Sequence, residues 1–350
     1  MTSSQEITSV LVTGGSGFLG AHIVQQLLDN PAISVAIVSR TPKETVTGND
    51  RVSYHSTDIA EQEQVQAIFD KISPQVVIHT VSPRITDTAA ALERTNVQGT
   101  KILLQCAKEC GETRAFIYTS SDSAVVPTQE PVTEDKAELY TESHFKNHYG
   151  RSKAIADALV QRANSVDLST AVIRVPGIYG EHDTNLVPQL LSSVRKNEHK
   201  IQIGSNDKPF EFVYVQKAAE AHILAARALL NPASAPGVAG EAFFISDGKP
   251  EFFFDFTRRC YAATGNPVDP KDVTVIPLAA MQAMASIGEW AYKIFTFGTI
   301  TPKLHRDSID YLGGSCCWSI EKARQRLGYE PVTDQDAAIK RTMEWALANL

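Results

Sequence analysis

The stretch LVTGGSGFLG (residues 11–20) decides the fold, and it fits two glycine patterns at once. Gly15, Gly17 and Gly20 make G-x-G-x-x-G; Gly14, Gly17 and Gly20 make G-x-x-G-x-x-G. Either can cradle a dinucleotide pyrophosphate when a strand precedes it and a helix follows. ITSVLVTG (7–14) is a short β-rich run ending in glycine, and AHIVQQLLDN (21–30) puts Ile23, Val24, Leu27 and Leu28 on one helical stripe. Early glycines permit the tight turn, the middle one admits the phosphate, and the last lets helix and strand pack closely. The helix then offers free N–H groups and the positive end of its dipole. The bland alternative is a glycine turn without a ligand.

The alternation of strand and helix continues downstream. SVAIVSR (34–40), QVVIHTV (75–81) and AFIYTSS (115–121) read as strands, with helices over 61–72 and over 90–111, the latter stopped by Gly111. Strands apolar on both faces, separated by helices, imply parallel strands covered on both sides. The predicted fold class is α/β, a doubly wound parallel Rossmann sheet with a smaller C-terminal substrate-binding lobe. Residues 1–175 form the dinucleotide-binding part and 176–350 mainly the lobe, with 210–248 returning to the first part. AVIRVPGIYG (171–180) starts as a strand and ends in turn chemistry; 215–230 and 252–265 are helices, and 242–248 is a strand.

With 43% apolar and 21% charged residues, the chain has ordinary globular composition and can bury a sizeable core. A net charge of -7 and the lack of a Lys/Arg run argue against nucleic acid as a partner. Five cysteines without C-x-x-C spacing read as free thiols in a reducing compartment, not as a metal site. MTSSQEITSV is not a secretory signal, and no run is long and apolar enough to cross a membrane. The expectation is a cytoplasmic protein, with a homodimer as the default assembly. One segment, 276–297, repeats apolar residues at helical spacing, interrupted by Glu289 and Lys293. It reads as a core helix of the lobe; the sharper alternatives are a lid over a greasy substrate or a face resting peripherally on an intracellular membrane.

The second strand decides between cofactors. An NAD site usually has an acid there for the ribose hydroxyls. From Pro31 to Lys43 there is none, and the strand ends in Ser39 and Arg40. A guanidinium fork suits a 2′-phosphate, so NADP(H) is favoured over NAD(H). The alternative is that Arg40 stacks on adenine or points to solvent. Asp58 and Ile59 are placed to meet the adenine, unless Asp58 simply caps the next helix.

Tyr149 and Lys153 are four apart, hence on one face of a helix. A neighbouring ammonium would lower the pKa of the phenol, letting it exchange a proton with an alcohol or ketone. The lysine could also hold the nicotinamide ribose. YTSSDSA (118–124) follows a strand at the edge where such sheets bind ligands, so Ser121 could orient the reacting oxygen.

TGGSGFLG, TSS and YGRSK, in this order and spacing, resemble the extended short-chain dehydrogenase/reductase family. The resemblance selects Gly14, Gly17 and Gly20 as the working glycines, with Gly15 a turn residue among them. It implies Ser121, Tyr149 and Lys153 as catalytic residues, with Ser120 and Ser123 as rivals for the serine, and Asn96 as a recurrent helix asparagine. Together with the readings above, the cofactor-binding set comprises Gly14, Gly15, Ser16, Gly17, Phe18, Leu19, Gly20, Ser39, Arg40, Asp58, Ile59, Tyr149, Lys153 and Pro176, with no metal. VIHTVSP, VIRVPGIYGEHD, FEFVYVQKAAEAHILAARAL and RLGYEP are similar to the 3β-hydroxysteroid dehydrogenase branch, within it to the sterol-4-carboxylate 3-dehydrogenase group. That implies redox chemistry at a 3-hydroxyl or 3-keto group of a steroid- or terpenoid-like substrate, with carbon dioxide lost from a 4-carboxy sterol. Phe252, Phe253 and Phe254 would be ordinary core or part of an apolar pocket. Val81 and Asp122 stand where small residues are common, and Ser39 and Arg40 stand where the sterol decarboxylating enzymes often carry an acid. The rivals are an NADPH-dependent reductase of a smaller ketone or aldehyde, a nucleotide-sugar epimerase, and a non-catalytic dinucleotide sensor.

Overall fold

The computed structural model describes residues 6–295 and 305–350; residues 1–5 and 296–304, which include the end of the 276–297 segment, lie outside it. β1 (Ser9–Thr13) runs into the glycine loop, followed by α1 (Phe18–Leu28), β2 (Ser34–Ser39), β3 (Val52–Ser56), α2 (Gln62–Ile72) and β4 (Val76–His79). The long helix expected over 90–111 is present but not uniform. It comprises α3 (Ala89–Leu92), a π-helical stretch over Glu93–Gly99, and α4 (Thr100–Glu109). β5 (Ala115–Ser121), α5 (His148–Arg162) and β6 (Ser169–Val175) complete the first half.

The second half contains β7 (Gly177–Tyr179), α6 (Leu186–Arg195), β8 (Ile201–Ile203), β9 (Pro209–Phe210), β10 (Phe212–Tyr214), α7 (Val215–Leu230) and β11 (Glu241–Phe244). Then come β12 (Glu251–Phe252), α8 (Phe253–Ala263), β13 (Thr274–Ile276), α9 (Leu278–Phe295), α10 (Arg306–Leu312), α11 (Glu321–Leu327) and α12 (Gln335–Asn349). The main sheet has seven strands in the order β11-β6-β5-β4-β1-β2-β3, and every neighbouring pair is parallel. This is the doubly wound order, with its switch point between β1 and β4. β11 joins the sheet beside β6, and α7 packs against α1.

Alternation along the strands explains their apolar runs. Val10, Val12, Val76 and Ile78 enter the core on the α1 and α7 face. Leu11 and Val77 enter the opposite core with Phe69, Leu103 and Val160. Helices on both faces leave no wet side to the sheet, so the polar residues of its central strands, such as Thr13, His79 and Arg174, are buried and hydrogen-bonded. A small separate core joins Met281 and Ala285 of α9 to Ile309 of α10. The rest of α9 differs from the core helix expected: Met284, Ile287, Trp290 and Phe295 are exposed. The phenylalanine run is divided, with Phe252 exposed and Phe253 packed against Phe210. All five cysteines are free thiols.

A buried ion pair joins α5 to β6. Arg174 donates to Asp157 through Nε at 2.9 Å and through Nη2 at 3.1 Å, and both side chains are almost wholly buried. Removing one partner strands the other charge in the interior. Asp157→Ala is therefore expected to cost about 3–5 kcal/mol of stability, read as a lowered urea midpoint; Asp157→Asn, which keeps a hydrogen-bond acceptor, should lose less.

Candidate active site

The glycine loop is built around backbone contact. Gly14 has φ +73°, a left-handed conformation that favours glycine, and its carbonyl accepts the Gly17 N–H at 2.8 Å. A Cβ on Gly20 would overlap that same carbonyl oxygen, so α1 can start this close to the loop only with glycine there. Gly15 is also confined, with Ile37 at 3.0 Å from a would-be Cβ. Gly17 is the N-cap of α1; no side chain caps that helix end and its first turn has no acid. Exposed N–H groups at an uncapped helix start suit a pyrophosphate.

A cleft of about 380 Å³ opens there, lined by Gly14, Ser16, Gly17, Phe18, Leu19, Gly20 and Ser39, together with Thr41, Lys43, Thr80, Val81 and Ser82. The sequence reading missed the last five as lining residues. Ser16 clamps Lys43 to the loop, donating to its carbonyl at 2.8 Å and accepting its N–H at 3.1 Å. Arg40 is exposed beside this cleft, outside its lining. Asp58 is engaged by Arg94 at 2.8 Å; against the penalty of burial, the Ala60 N–H and the Arg94 guanidinium hold its carboxyl below the usual range. Ile59 is buried, and Gly99 leaves room for it in the π-helical stretch. Pro176 is buried between β6 and β7.

α5 carries Tyr149 and Lys153 and is held at successive turns. A Cβ on Gly150 would overlap the Ser123 carbonyl oxygen, so this glycine lets the helix lie against the turn after β5. Lys153 is buried; its Nζ donates to the Thr119 carbonyl at 2.6 Å and sits 4.5 Å from the centre of the Tyr118 ring. Burial pulls the lysine down to about 7, against the favourable field of Asp157. The Tyr149 phenol meets the hydroxyls of Ser121 and Ser82. Ser121 is thus the serine of the three whose hydroxyl acts on the phenol. The Ser120 hydroxyl is buried without a partner, and Ser123 lines a second cleft.

The expected lowering of the phenol is not seen in this geometry. Burial raises Tyr149 above its ordinary value and Asp122 adds to the rise, while the Ser121 and Ser82 hydroxyls oppose it. The physical reason is the direction of the ammonium, which is turned to the Thr119 carbonyl and the Tyr118 face.

The second cleft, about 410 Å³, is lined by Asp122, Ser123, Tyr140, Lys146, Asn147, Leu278, Arg306, Tyr311 and Cys316 among others. Burial raises the Asp122 carboxyl, opposed by hydrogen bonds from the Cys316 thiol and Ser121. Tyr149 contacts Ser82, which lines the first cleft, and Ser121, whose neighbours Asp122 and Ser123 line the second. Below lies a buried polar chain. Thr13 Oγ1 is 2.7 Å from His79 Nδ1, His79 Nε2 is 3.1 Å from Thr100 Oγ1, and Thr100 donates to the Asn96 carbonyl at 2.6 Å. Asn96 Nδ2 donates to Ser152 at 2.9 Å. Burial, with Lys153 nearby, lowers His79 to about 3, so it is neutral and both ring nitrogens serve as structural links.

The pH dependence of stability reports on Lys153. Unfolded, the amine titrates near its ordinary value of 10.5; folded, near 7. Between these values the unfolded chain binds the extra proton, so this group makes stability rise with pH across that window. Urea melts at pH 7, 8 and 9 should show the unmodified chain gaining stability relative to Lys153→Met as pH rises; a constant difference would refute the lowered value.

The model of the 3-beta hydroxysteroid dehydrogenase/isomerase family matches residues 11–278. The chain is 55% identical over 292 residues, 83% of its length and 96% of the relative's, to a decarboxylating sterol-4-alpha-carboxylate 3-dehydrogenase of Gibberella zeae. It is 32% identical to an enzyme of the same description from Schizosaccharomyces pombe, over 97% of each chain. Among solved structures, UDP-glucose 4-epimerase of Thermotoga maritima superimposes with TM-score 0.74 at 20% identity, covering 97% of this chain and 99% of that one. A dTDP-glucose 4,6-dehydratase of Streptomyces venezuelae gives TM-score 0.74 at 21% identity, over 97% of each chain. At that identity the two structures speak for the fold alone. The chain belongs to the 3-beta hydroxysteroid dehydrogenase/isomerase family and is an oxidoreductase of the extended short-chain dehydrogenase/reductase type.

Proposed function

We propose that this oxidoreductase oxidises the 3-hydroxyl of a sterol that carries a carboxyl on the neighbouring carbon, with loss of carbon dioxide. The observation that carries the reading is the Tyr149 phenol standing between a glycine-loop cleft and a second cleft. A proton-exchanging group at such a junction is what hydride transfer from one cavity to the other requires. The Gibberella zeae and Schizosaccharomyces pombe relatives support the substrate class.

In this reading a nicotinamide dinucleotide in the glycine-loop cleft supplies the hydride acceptor. The backbone of Gly14–Gly20 and the open start of α1 would hold its pyrophosphate. Ser39 and Arg40 would hold the adenosine ribose, Asp58 and Ile59 would border the adenine, and Pro176 would border the nicotinamide side. NADP(H) is favoured over NAD(H), because Arg40 is joined by Lys43 beside Ser39 and no acid stands between Pro31 and Lys43. Ser121 orients the substrate oxygen, and the protonated Tyr149 phenol takes the substrate proton as its own passes to the neutral Lys153 amine. Lys153 holds the ribose hydroxyls, and with a pKa near 7 it exchanges a proton readily at neutral pH. The resulting 3-ketone is a β-keto acid. When its carbon dioxide leaves, the electron pair enters the ketone, and the Ser121 and Tyr149 hydrogen bonds stabilise the enolate oxygen.

A second reading has one observation in its favour. Tyr149 is held in its protonated form, which suits proton donation to a ketone, as in an NADPH-dependent reductase of a smaller carbonyl compound. Initial rates with a 4-carboxy sterol and NAD⁺ or NADP⁺, beside NADPH with a panel of ketones and aldehydes, separate the two. Sterol oxidation preferring NADP⁺ is expected, with Tyr149→Phe lowering kcat by about 10²–10⁴-fold. A reductase-only profile would overturn the sterol reading, and a preference for NAD⁺ would overturn the role of Arg40.

We also propose that the exposed end of α9 rests on a membrane surface. Leu278 of the same helix lines the second cleft, while Ile287, Trp290 and Phe295 are open to solvent, so an apolar substrate could pass from lipid along one element. Among the described residues no helix is long and apolar enough to cross a membrane. Flotation with neutral lipid vesicles should recover the chain, and Ile287→Ser with Trp290→Ser should reduce recovery; light scattering on the same preparation reads the proposed homodimer.

A further inference from the structure

The second cleft carries more acid than available base. Asp122, Asp307 and Asp310 line it. Arg306 also lines it, but its guanidinium is engaged: Nε donates to Asp310 at 3.0 Å and Nη1 to Ser286 at 2.6 Å. Lys146 is the remaining cation in the lining, and it has no ion pair among the described residues. Its Nζ lies 3.9 Å from where a Cβ of Gly314 would stand, so the stem reaches across the cleft to the turn after α10. Lys146 directly precedes Asn147, the N-cap of α5, whose Oδ1 accepts the Gly150 N–H at 2.7 Å.

We propose that Lys146 is a specificity-determining residue that binds the carboxylate of the substrate. The inference rests on the sterol-acid reading above. In such a substrate the hydroxyl and the acid sit on adjacent carbons. A group that holds the acid must then line the cleft bordered by Asp122 and Ser123, next to Ser121. Lys146 does so with its charge uncommitted, whereas an arginine already bound to Asp310 has little left to offer. With Asp310 paired to Arg306, Asp122 and Asp307 remain, so an anion entering the cleft needs a compensating cation, or repulsion excludes it. Held by the ammonium, the acid stays ionised. Once the neighbouring carbon is a ketone, the bond to the carboxylate carbon breaks, its electron pair passes into the ketone, and carbon dioxide departs.

The experiment compares kcat/KM for a 4-carboxy 3β-hydroxysterol with that for the matching 3β-hydroxysterol lacking the acid. In Lys146→Gln the ratio of acid to neutral substrate should fall by about 10- to 100-fold, the range of a hydrogen bond between charged groups. Most of the fall should lie in KM. Lys146→Arg should restore most of the ratio, and added salt should lower it in the unmodified chain. A ratio that stays within twofold in Lys146→Gln, while the unmodified chain oxidises the acid, would overturn the role of Lys146 and leave the sterol reading standing. Failure of the unmodified chain to oxidise the acid would overturn the sterol reading, and this inference with it.

Discussion

The arrangement depends on how closely α5 lies against β5 and β6. Three residues on successive turns hold it there. Gly150 removes the side chain that would strike the Ser123 carbonyl, Lys153 bonds to the Thr119 carbonyl, and Asp157 pairs with Arg174. These positions share one helical face. Because the contacts run to the end of β5 and to β6, they set the height of Tyr149 above the sheet edge. The contact of Tyr149 with Ser121 follows from that docking.

The docking has an electrostatic cost. It dehydrates Lys153, whose amine is held near 7, and the Tyr149 phenol, which is raised. Burial drives the two proton affinities apart from ordinary values that lie close together, lowering the lysine and raising the phenol. The site is therefore poised by desolvation, not by an ammonium lowering its neighbouring phenol. Sites that hold strained or dehydrated groups tend to trade stability for activity. Here the buried Asp157–Arg174 pair lies one turn beyond the lysine, fastening the same helix. The neutral His79 chain performs a similar task from below, linking the end of β1 to the π-helical stretch that carries Asn96.

Much of this was legible in the chain. The strands over 34–39, 76–79 and 115–121 and the helix over 215–230 follow from apolar runs and helical periodicity, since a sheet covered on both faces tolerates little else. The glycines of the loop were legible as a cradle, but the local pattern allowed two sets; the resemblance carried by the downstream serine, tyrosine and lysine singled out Gly14, Gly17 and Gly20. The π-helical turn was not; it ends at Gly99, which packs against Ile59, a partner distant in sequence. Lys43 looked like a loop lysine; only the Ser16 clamp brings it to the cradle. The outer half of α9 has the apolar period of a core helix, and periodicity cannot tell whether a neighbour will cover it.

The two glycine patterns of residues 11–20 illustrate the division. The sequence by itself determined that a strand, a tight glycine turn and a helix meet there, since local sterics and periodicity act within a few residues. It also determined the Tyr149–Lys153 pair, which is a matter of helical spacing. Only the tertiary structure decided that Gly20 is excluded from bearing a side chain by the Gly14 carbonyl, and that the lysine turns to Thr119. It alone brought Lys146 and Arg306, 160 residues apart in number, into one cleft and left only the former uncommitted. Pairing, burial and dehydration depend on which distant groups share a cavity, and no local pattern encodes that.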